Sequence, residues 1–402
     1  MVSPAMIATQ LGGGAAGPAR ALWLDGLDIL KQPGSAANRY GVPIESIDVE
    51  EAGPGGVSSM RFRLELPNPA SGVTLVDGAR VHFQDLANDL PTFYGFLQSW
   101  PSRPLGLGRS YDVTCQGIEI VLDWMIVPAL TIAAGTNIQA AIQSILANAT
   151  GVGVALRGLA SGTANGTQAQ PIGDLAQPKF GAAVTTAVAV VLAGDSVREA
   201  IRKVLDVAND SSPYFGDITI YGHATVDFWQ GLRVFRRDQA PGDYATLTID
   251  DSVGGAIAAA NLEHTTDVGQ VVRGVYVKGG NAAGTGLVSD GSGKPGRIAV
   301  IDDPSILTSS ARDLAGVAYL TTQTEAARGN FQVEAFTPTT NVRPGSRLSL
   351  TDAEVGLTAA NYAISTISKT FAGPTESWRV SYGGLPKKAG RVLRRLTRGT
   401  RS

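Results

Sequence analysis

The fold class follows from the stretch RFRLEL at Arg61–Leu66, in which charged and apolar residues alternate without interruption. Successive side chains of a β-strand point to opposite faces, so this pattern predicts a strand with one buried and one solvated face. A similar alternation covers Tyr111–Cys115, and the turn signal Asp77-Gly78 precedes another apolar run at Arg80–Phe83. Several short strands joined by close turns are typical of a β-barrel or a β-sandwich.

The composition is that of a chain with sizeable cores and few charges. Hydrophobic residues make up 44% of the 402 residues, charged residues only 17%, and glycine occurs 49 times. The length predicts two to four domains. The low charge favours surfaces that are buried against other subunits, although a GC-rich genome would produce the same bias. The net charge of −2 gives no overall indication of nucleic-acid binding.

Helical periodicity interrupts the strands in the middle of the chain. Apolar residues recur at helical spacing in Ile138–Leu146, after the candidate N-cap Thr136. They do so again in Val197–Leu205, where Asp195 or Ser196 could cap the helix. We therefore predict an inserted small α+β domain at residues 129–250.

The remaining segments complete an α+β, β-rich domain plan. We predict a first β-rich domain at 20–128 and a second at 251–386, each a barrel or a sandwich, on either side of the insert. Within the first, Ile118–Trp124 is predicted as a strand. Within the second, we predict a loop at Gly279–Gly296 and a helix from Ser309 to Ala327.

The two ends of the chain differ from the rest in composition. Residues 1–19 are rich in glycine, alanine and proline, which predicts a flexible arm. The tail at 387–402 has seven basic residues and no acidic one: Lys387, Lys388, Arg391, Arg394, Arg395, Arg398 and Arg401. Because the whole chain carries −2, removing these seven charges leaves −9 on the rest. The tail could dock onto an acidic neighbouring subunit, stay solvated, or touch DNA or a membrane surface.

Catalytic, redox and nucleotide-binding motifs are missing or lack their structural context. The single cysteine, Cys115, excludes an intrachain disulfide, and it belongs to an alternating run that predicts a core position. The histidines His82, His223 and His264 lie in separate segments without a ligand partner at metal-site spacing. The glycine fingerprint at 12–17 follows no strand, and Gly291–Lys294 only resembles part of a phosphate loop. We predict no cofactor and no enzymatic activity.

Acidic residues cluster in two kinds of place. One group alternates with apolar residues, which favours a solvated strand face over a glycosidase carboxylate pair; its members are Glu45, Asp48, Glu50 and Glu51. The pairs Asp250-Asp251 and Asp302-Asp303 could hold a cation through loop oxygens, but the sequence offers no further ligands. The N-terminal residues lack a secretory pattern, and no apolar run is long enough to span a bilayer.

The order of several segments resembles the hub proteins of tailed-phage tails and related injection machines. These segments are Val76–Val81, Phe93–Leu97, Ile301–Ile306, Val342–Leu350, Val355–Leu357, Asn361–Ile367 and Trp378–Gly383. In such hubs, the first two belong to one barrel related to the tail-tube fold and the others to a second. The N-terminal arm and residues 152–193 have no counterpart in the resemblance.

The resemblance implies a mechanical function. Such hubs are usually homotrimers whose two barrels per subunit form a pseudo-sixfold ring, which adapts a hexameric tube to a threefold tip. The implied partners are a distal tail protein, the tape-measure C-terminus and tail-fibre or receptor-binding proteins, with phage DNA passing through the channel and no stable membrane insertion. The implied location is the tail tip of the virion, after synthesis in the host cytoplasm.

Two alternatives belong to other functional classes. An extracellular carbohydrate-binding module would need a signal peptide and an aromatic platform, and neither is evident in the sequence. A tip-associated cell-wall hydrolase would need a catalytic carboxylate or metal cluster.

Overall fold

The computed structural model describes residues 20–24, 27–29, 44–53, 56–66, 73, 75–85, 90–106, 108–151, 184–207, 218–223, 229–234, 246–250, 260–266, 271–304, 306–323, 327–334, 342–352, 357–372 and 375–383. The predicted arm at 1–19 and the predicted basic tail at 387–402 lie outside these residues.

The described residues before Ile118 form strands joined by turns. These strands are β1 (Arg20–Leu24), β2 (Leu27–Asp28), β3 (Ile44–Glu51), β4 (Ser59–Leu66), β5 (Arg80–Asp85), β6 (Leu90–Ser99), β7 (Ser102–Leu105) and β8 (Gly108–Gly117). The alternation that predicted β4 is confirmed, because Phe62 and Leu64 are buried while Arg61 and Arg63 are exposed.

Short helices and strands follow. They comprise a 3-10 turn (Ile118–Ile120), α1 (Val121–Trp124), β9 (Ile126–Val127), β10 (Leu130–Ile132), α2 (Ile138–Asn148), β11 (Val190–Leu192), β12 (Asp195–Ser196) and α3 (Val197–Asp206). The caps differ in part from the predicted ones. Asn137, not Thr136, caps α2, since its side chain accepts from the backbone N–H groups of Gln139 and Ala140. Ser196 caps α3 as predicted.

The rest of the described chain is again rich in strands. Its elements are β13 (Ile218–His223), β14 (Trp229–Val234), β15 (Leu247–Asp250), β16 (Ala260–Thr266), β17 (Val272–Lys278), β18 (Thr285–Ser289), β19 (Arg297–Asp302), α4 (Ser309–Gln323), β20 (Ala327–Glu334), β21 (Arg347–Asp352), β22 (Leu357–Ala372) and β23 (Thr375–Gly383).

Fourteen strands of the described chain form one continuous sheet. Its order is β16-β20-β23-β22-β3-β4-β8-β6-β5-β1-β2, with β7 paired to β8 and with β21 joining β22 to β15. We call β1–β8 the first half, and β15, β16 and β20–β23 the second half. The halves are joined where β22 pairs with β3, in a register from Ile367 opposite Glu51 to Phe371 opposite Ile47.

Contacts between distant strands demonstrate that the first half is rolled. The rings of Phe83 in β5 and Phe371 in β22 lie 5.0 Å apart, although five strand spacings would separate them by about 24 Å in a flat sheet. Arg20 in β1 reaches Glu376 in β23 at 2.9 Å, across seven spacings or roughly 34 Å. The sheet therefore curls until β1 meets β22 and β23, and buried apolar side chains of β1, β3–β6 and β8 share one core.

The second half encloses a core of its own. Leu247 and Ile249 of β15 are buried in the same cluster as Phe331 and Val333 of β20, and Leu262 of β16 packs against it. The two ends of this half, β15 and β16, thus meet at a single core. The predicted fold class, α+β and β-rich with two rolled sheet portions and a small helical insert, is confirmed.

Two smaller units have separate cores. Helices α1, α2 and α3 pack with β9–β12 around buried residues such as Ile142 and Ile201. Strands β17, β18 and β19 form a three-stranded sheet whose residues Val275 and Val277 pack with Leu320 of α4.

The unit formed by β17–β19 and α4 falls within the segment predicted as the second barrel. β15 falls within the predicted insert but pairs with β21; the domain boundaries themselves stay predictions.

Three predicted secondary-structure elements were wrong. Ile118–Trp124 is a 3-10 turn and a helix, because Ile118, Val121 and Leu122 bury a face at helical spacing. The predicted loop contains β18, which pairs with β17 after a turn at 281–284. The third helix ends at Gln323, and Ala327 already belongs to a strand that pairs with β16 and β23.

Candidate functional site at the junction of the two sheet halves

A buried ion pair lies where the two halves share strands. Lys369 of β22 places its ammonium nitrogen 2.5 Å from a carboxylate oxygen of Glu51 in β3. Their side chains are only 9% and 7% exposed. The same ammonium lies over the ring of Trp378 in β23, 4.2 Å from the ring centre. Neutralisation by the carboxylate and attraction to the ring offset the cost of burying this charge.

A second buried ion pair extends the network to β1. The Arg20 guanidinium donates to Glu376 of β23 at 2.9 Å and stacks 4.7 Å above the ring centre of Phe371. The Trp378 indole N–H donates to the other carboxylate oxygen of Glu376. We call Arg20, Glu51, Lys369, Glu376 and Trp378 the junction network.

The junction network has no net charge and connects four strands. Two cations and two carboxylates are connected through one indole ring, and they come from β1, β3, β22 and β23. On the outer side of the same strand pair, the Thr370 hydroxyl donates to Asp48 at 2.7 Å. The network joins strands of both sheet halves through buried ion pairs and hydrogen bonds.

A second polar cluster attaches the helical insert to the first half. The Arg198 guanidinium of α3 donates to the Asp123 carboxylate at 2.7 Å and to the backbone carbonyl oxygens of Gly56 and Glu119. The Glu119 carboxylate accepts from the Ser58 hydroxyl at 3.2 Å. Burial raises the pKa of Glu119, while the bonds from Ser58 and the charge of Arg198 oppose that rise.

The histidines occupy three separate places. His82 is buried, stacks 4.8 Å from the ring of Trp23, and has its pKa lowered to about 4 by burial. His264 places Nδ1 2.9 Å from the Tyr382 hydroxyl, whose pKa is raised to about 12, chiefly by burial. His223 belongs to β13, and its side chain lies outside the described part.

The remaining candidate residues are also distributed through the fold. Cys115 is buried, and burial raises the pKa of its thiol far above the ordinary range. In the predicted solvated face of β3, Asp48 and Glu50 are exposed, whereas Glu51 is buried in the junction network, which corrects the prediction for that residue. The Glu45 side chain lies outside the described part.

The structure describes three of the four residues of the two aspartate pairs. Asp302 is exposed and faces Lys278 at 3.5 Å, and Asp250 ends β15, while Asp251 is not among the described residues. Across the described ranges, no three His, Cys, Asp or Glu side chains are close enough together to hold a metal ion.

The seven basic residues of the tail, Lys387 to Arg401, and the glycines at 12–17 lie outside the described ranges. Gly291–Lys294 is a turn organised by Asp290, which accepts from the backbone N–H and the hydroxyl of Ser292. None of the described helices combines the length and apolar character needed to cross a membrane.

Sequence reasoning did not find the junction network. Glu51 and Lys369 are separated by 318 positions, so no local pattern pairs them. A usable signal is nevertheless present, because each lies on the buried face of an alternating strand: Glu51 shares that face with Val49, and Lys369 shares it with Ile367. A charge at a buried position of a strand indicates a buried partner.

Comparison with known structures gives the fold its context. A 43 kDa tail protein of prophage MuSo2 from Shewanella oneidensis superposes with a TM-score of 0.57, at 11% identity, over 90% of this chain and 97% of that one. A tail protein from Neisseria meningitidis MC58 gives 0.55, at 12% identity, over 91% and 96%. The chain has the fold of phage tail proteins. No protein-family model matches the sequence, and no curated protein does.

The superpositions extend over nine-tenths of the chain. The hub-like fold predicted from the order of sequence segments is thereby confirmed. At identities of 11% and 12%, the likeness concerns the fold, and the role of the chain is a separate question.

Proposed function

We propose that the chain is a structural hub subunit at the distal end of a phage tail. It would adapt the hexameric tube to a threefold tip, attach receptor-binding or fibre proteins, and form part of the channel through which DNA leaves. The observation that supports this most directly is the end-to-end match of the whole fold with tail proteins of nearly the same extent.

The junction network supports the mechanical part of the proposal. A subunit with two rolled halves can occupy two adjacent positions of a sixfold ring only if the halves keep a fixed relative orientation. Direct pairing of β22 with β3 and the buried pairs Lys369–Glu51 and Arg20–Glu376 provide such a connection. The three copies of a homotrimer would then supply the six rolled halves that a sixfold ring needs.

The proposed partners follow from this position in the tail. They are other copies of the chain, a distal tail protein, the C-terminus of the tape measure and the fibre or receptor-binding proteins. The basic tail, Lys387 to Arg401, is proposed to dock onto an acidic neighbouring subunit. The role is structural, without catalytic residues or a cofactor, in a virion assembled in the host cytoplasm.

Two measurements test the proposal. Native mass spectrometry of the purified full-length chain should give three times the 41.6 kDa monomer mass. Gold-labelled antibodies against the chain should mark the distal ends of assembled tails in electron micrographs. Labelling along the tube or at the head end, or tails that assemble normally after deletion of the gene, would contradict the hub position.

A further inference from the structure

The three-stranded sheet β17–β19 has a second apolar face, on the side away from α4. Val275 and Val277 pack toward α4, so Tyr276 between them points to the opposite side, where it is 37% exposed. The strand register places Leu287 of β18 and Val300 of β19 directly beside Tyr276. We call Tyr276, Leu287, Ile298 and Val300 the outer face.

The outer face is one contiguous patch. Ile298 lies opposite Gly274, and the side chains of Ile298 and Leu287 approach each other over this glycine, each about 3.5 Å from the position that its Cβ would occupy. Leu287, Ile298 and Val300 are between 48% and 62% exposed. Such side chains expose on the order of 300–400 Å² together, within the range of the largest, often functional, apolar patch of a monomer.

The strand pattern itself indicates a covered sheet. A sheet with one solvated face alternates apolar and polar residues, whereas a sheet covered on both sides is apolar on both. In β19, Ala299 and Ile301 pack with the core under α4, while Ile298 and Val300, which alternate with them, are exposed. Strand β19 is therefore apolar on both sides, as a strand covered on both faces would be.

The edge of β19 offers main-chain hydrogen bonds beside this patch. The N–H group of Arg297 donates to Val271, just before β17, and that of Asp303, just after β19, donates to Lys278 in β17. The odd-numbered backbone groups of β19 therefore face the sheet, and those of Ile298, Val300 and Asp302 point outward. Among the described strands, β19 is at the end of this sheet. An exposed apolar edge strand is a template for pairing with another strand.

The opposite edge of the same sheet is protected. The Arg312 guanidinium donates to the carbonyl oxygens of Ala283 and Thr285, both at 3.0 Å, next to β18. A charged side chain bonded to main-chain carbonyls is one of the ways in which proteins blunt an edge. The β18 edge is therefore partly covered, at the carbonyl oxygen of Thr285, while β19 carries the exposed apolar side chains of Ile298 and Val300 along its edge.

We propose that the outer face and the edge of β19 bind an extended, uncharged segment of another polypeptide as an added strand. The outward N–H and C=O groups select a main chain in β conformation, and the apolar row selects alternating apolar side chains. Lys278 and Asp302 at one end of the patch already face each other at 3.5 Å, so the surface presents no net charge to its partner.

Two other occupants fit less well. The basic tail of this chain has seven positive charges, for which the outer face offers no excess of carboxylates. A second copy that docked twofold, patch against patch, would bury only about 600–800 Å² in total, below the ~1,200 Å² of the smallest stable interfaces. Docking of a different surface of a second copy is distinguished by the sedimentation measurement below. A single added strand needs far less area because main-chain hydrogen bonds supply much of the binding. The inference depends on this face alone and holds whether or not the chain is a tail hub.

The test uses the full-length chain and a fluorescein-labelled peptide of alternating threonine and valine, eight residues long. Fluorescence anisotropy should show saturable binding, at least tenfold weaker for a peptide with N-methylated valines, which cannot pair along an edge. Val300→Lys should weaken binding at least tenfold. Val191→Lys, at an even more exposed valine of β11, is the matched control and should leave binding unchanged. Unchanged melting temperatures should verify that both variants are folded.

Several results would overturn the proposal. They are the absence of binding at millimolar peptide, equal binding of the N-methylated peptide, or equal binding by the Val300→Lys variant. Sedimentation that shows self-association abolished by Val300→Lys would assign the face to a second copy. Peptide binding that appears only after deletion of residues 387–402 would assign it to the basic tail. The hub position could still be correct in each case, because these assays use the isolated chain.

Discussion

At the scale of single residues, the buried charges of the junction network compensate one another. Lys369 and Glu51 are each nearly excluded from solvent, and Trp378 lies against the ammonium group. Burying one such charge without its partner costs several kcal/mol, whereas the intact pair roughly offsets its own desolvation. The network therefore adds little net stability. Its main effect is to specify which strands lie next to each other.

Substitution of Lys369 by methionine tests this balance. Lys369→Met leaves the Glu51 carboxylate buried without its cation, so the free energy of unfolding should fall by about 3–5 kcal/mol. The double variant Lys369→Met with Glu51→Leu replaces the pair by apolar side chains and should recover most of that loss. Urea denaturation at pH 7 measures both.

The matched control is Lys203→Met in α3. Lys203 pairs with Asp195 at 2.8 Å, but its side chain is 48% exposed, so the loss should stay below about 1 kcal/mol. If the double variant were as unstable as Lys369→Met alone, the uncompensated charge would not be the cause of the loss.

His82 makes stability depend on pH. Its folded pKa is lowered from 6.5 to about 4 because the ring is buried. Between these values the unfolded chain binds a proton that the folded chain does not, so stability falls as the pH decreases, by up to about 3 kcal/mol in total. His82→Phe keeps an aromatic ring against Trp23 and removes the titration.

Between pH 7 and pH 4, the free energy of unfolding of the wild type should therefore fall by about 3 kcal/mol relative to that of His82→Phe. Urea midpoints at half-unit intervals of pH measure the shift. Subtracting the variant removes the contribution of other groups that titrate between pH 4 and pH 7. Parallel pH profiles for the two proteins would show that His82 does not resist protonation in the fold.

At the scale of elements, sequence periodicity was a good guide where one element packs on one core. The alternation of Arg61–Leu66 and the helical spacing of Val197–Leu205 each report a single buried face, and both elements form as predicted. Periodicity misled at Ile118–Trp124, where a short apolar run fits either period and the helical insert core selects the helix.

The other misses have tertiary causes. Thr285–Ser289 is rich in small and polar residues, and it becomes a strand because β17 supplies its pairing partner. The predicted helix beyond Gln323 is interrupted because Arg328 and Gly329 pair with β16 and β23. For the junction network, the buried-face position of Lys369 was readable from the sequence. The identity of Glu51 as its partner was not, because the contact depends on how the sheet rolls.

At the scale of the whole molecule, the shared strand β22 couples the two halves. Its residues Leu357–Ala363 pair with β21, while Ile367–Phe371 pair with β3 on one side and with β23 on the other. Loss of the second-half core would release β22, and it would thereby expose the β3 edge and leave Glu51 without Lys369. The halves should consequently unfold together although their cores are separate.

Hydrogen exchange measured by mass spectrometry can test this coupling. Ile249→Ala removes a fully buried side chain from the second-half core and should cost about 2–5 kcal/mol. Exchange should then accelerate to a similar degree in peptides from β20, in the same half, and from β4, in the other half. Ile201→Ala in the core of the helical insert is the control, and it should accelerate exchange in α2 and α3 more than in β20. Faster exchange in β20 with unchanged protection in β4 would mean that the halves open independently, and the proposed fixed spacing of two ring positions would lose its structural basis.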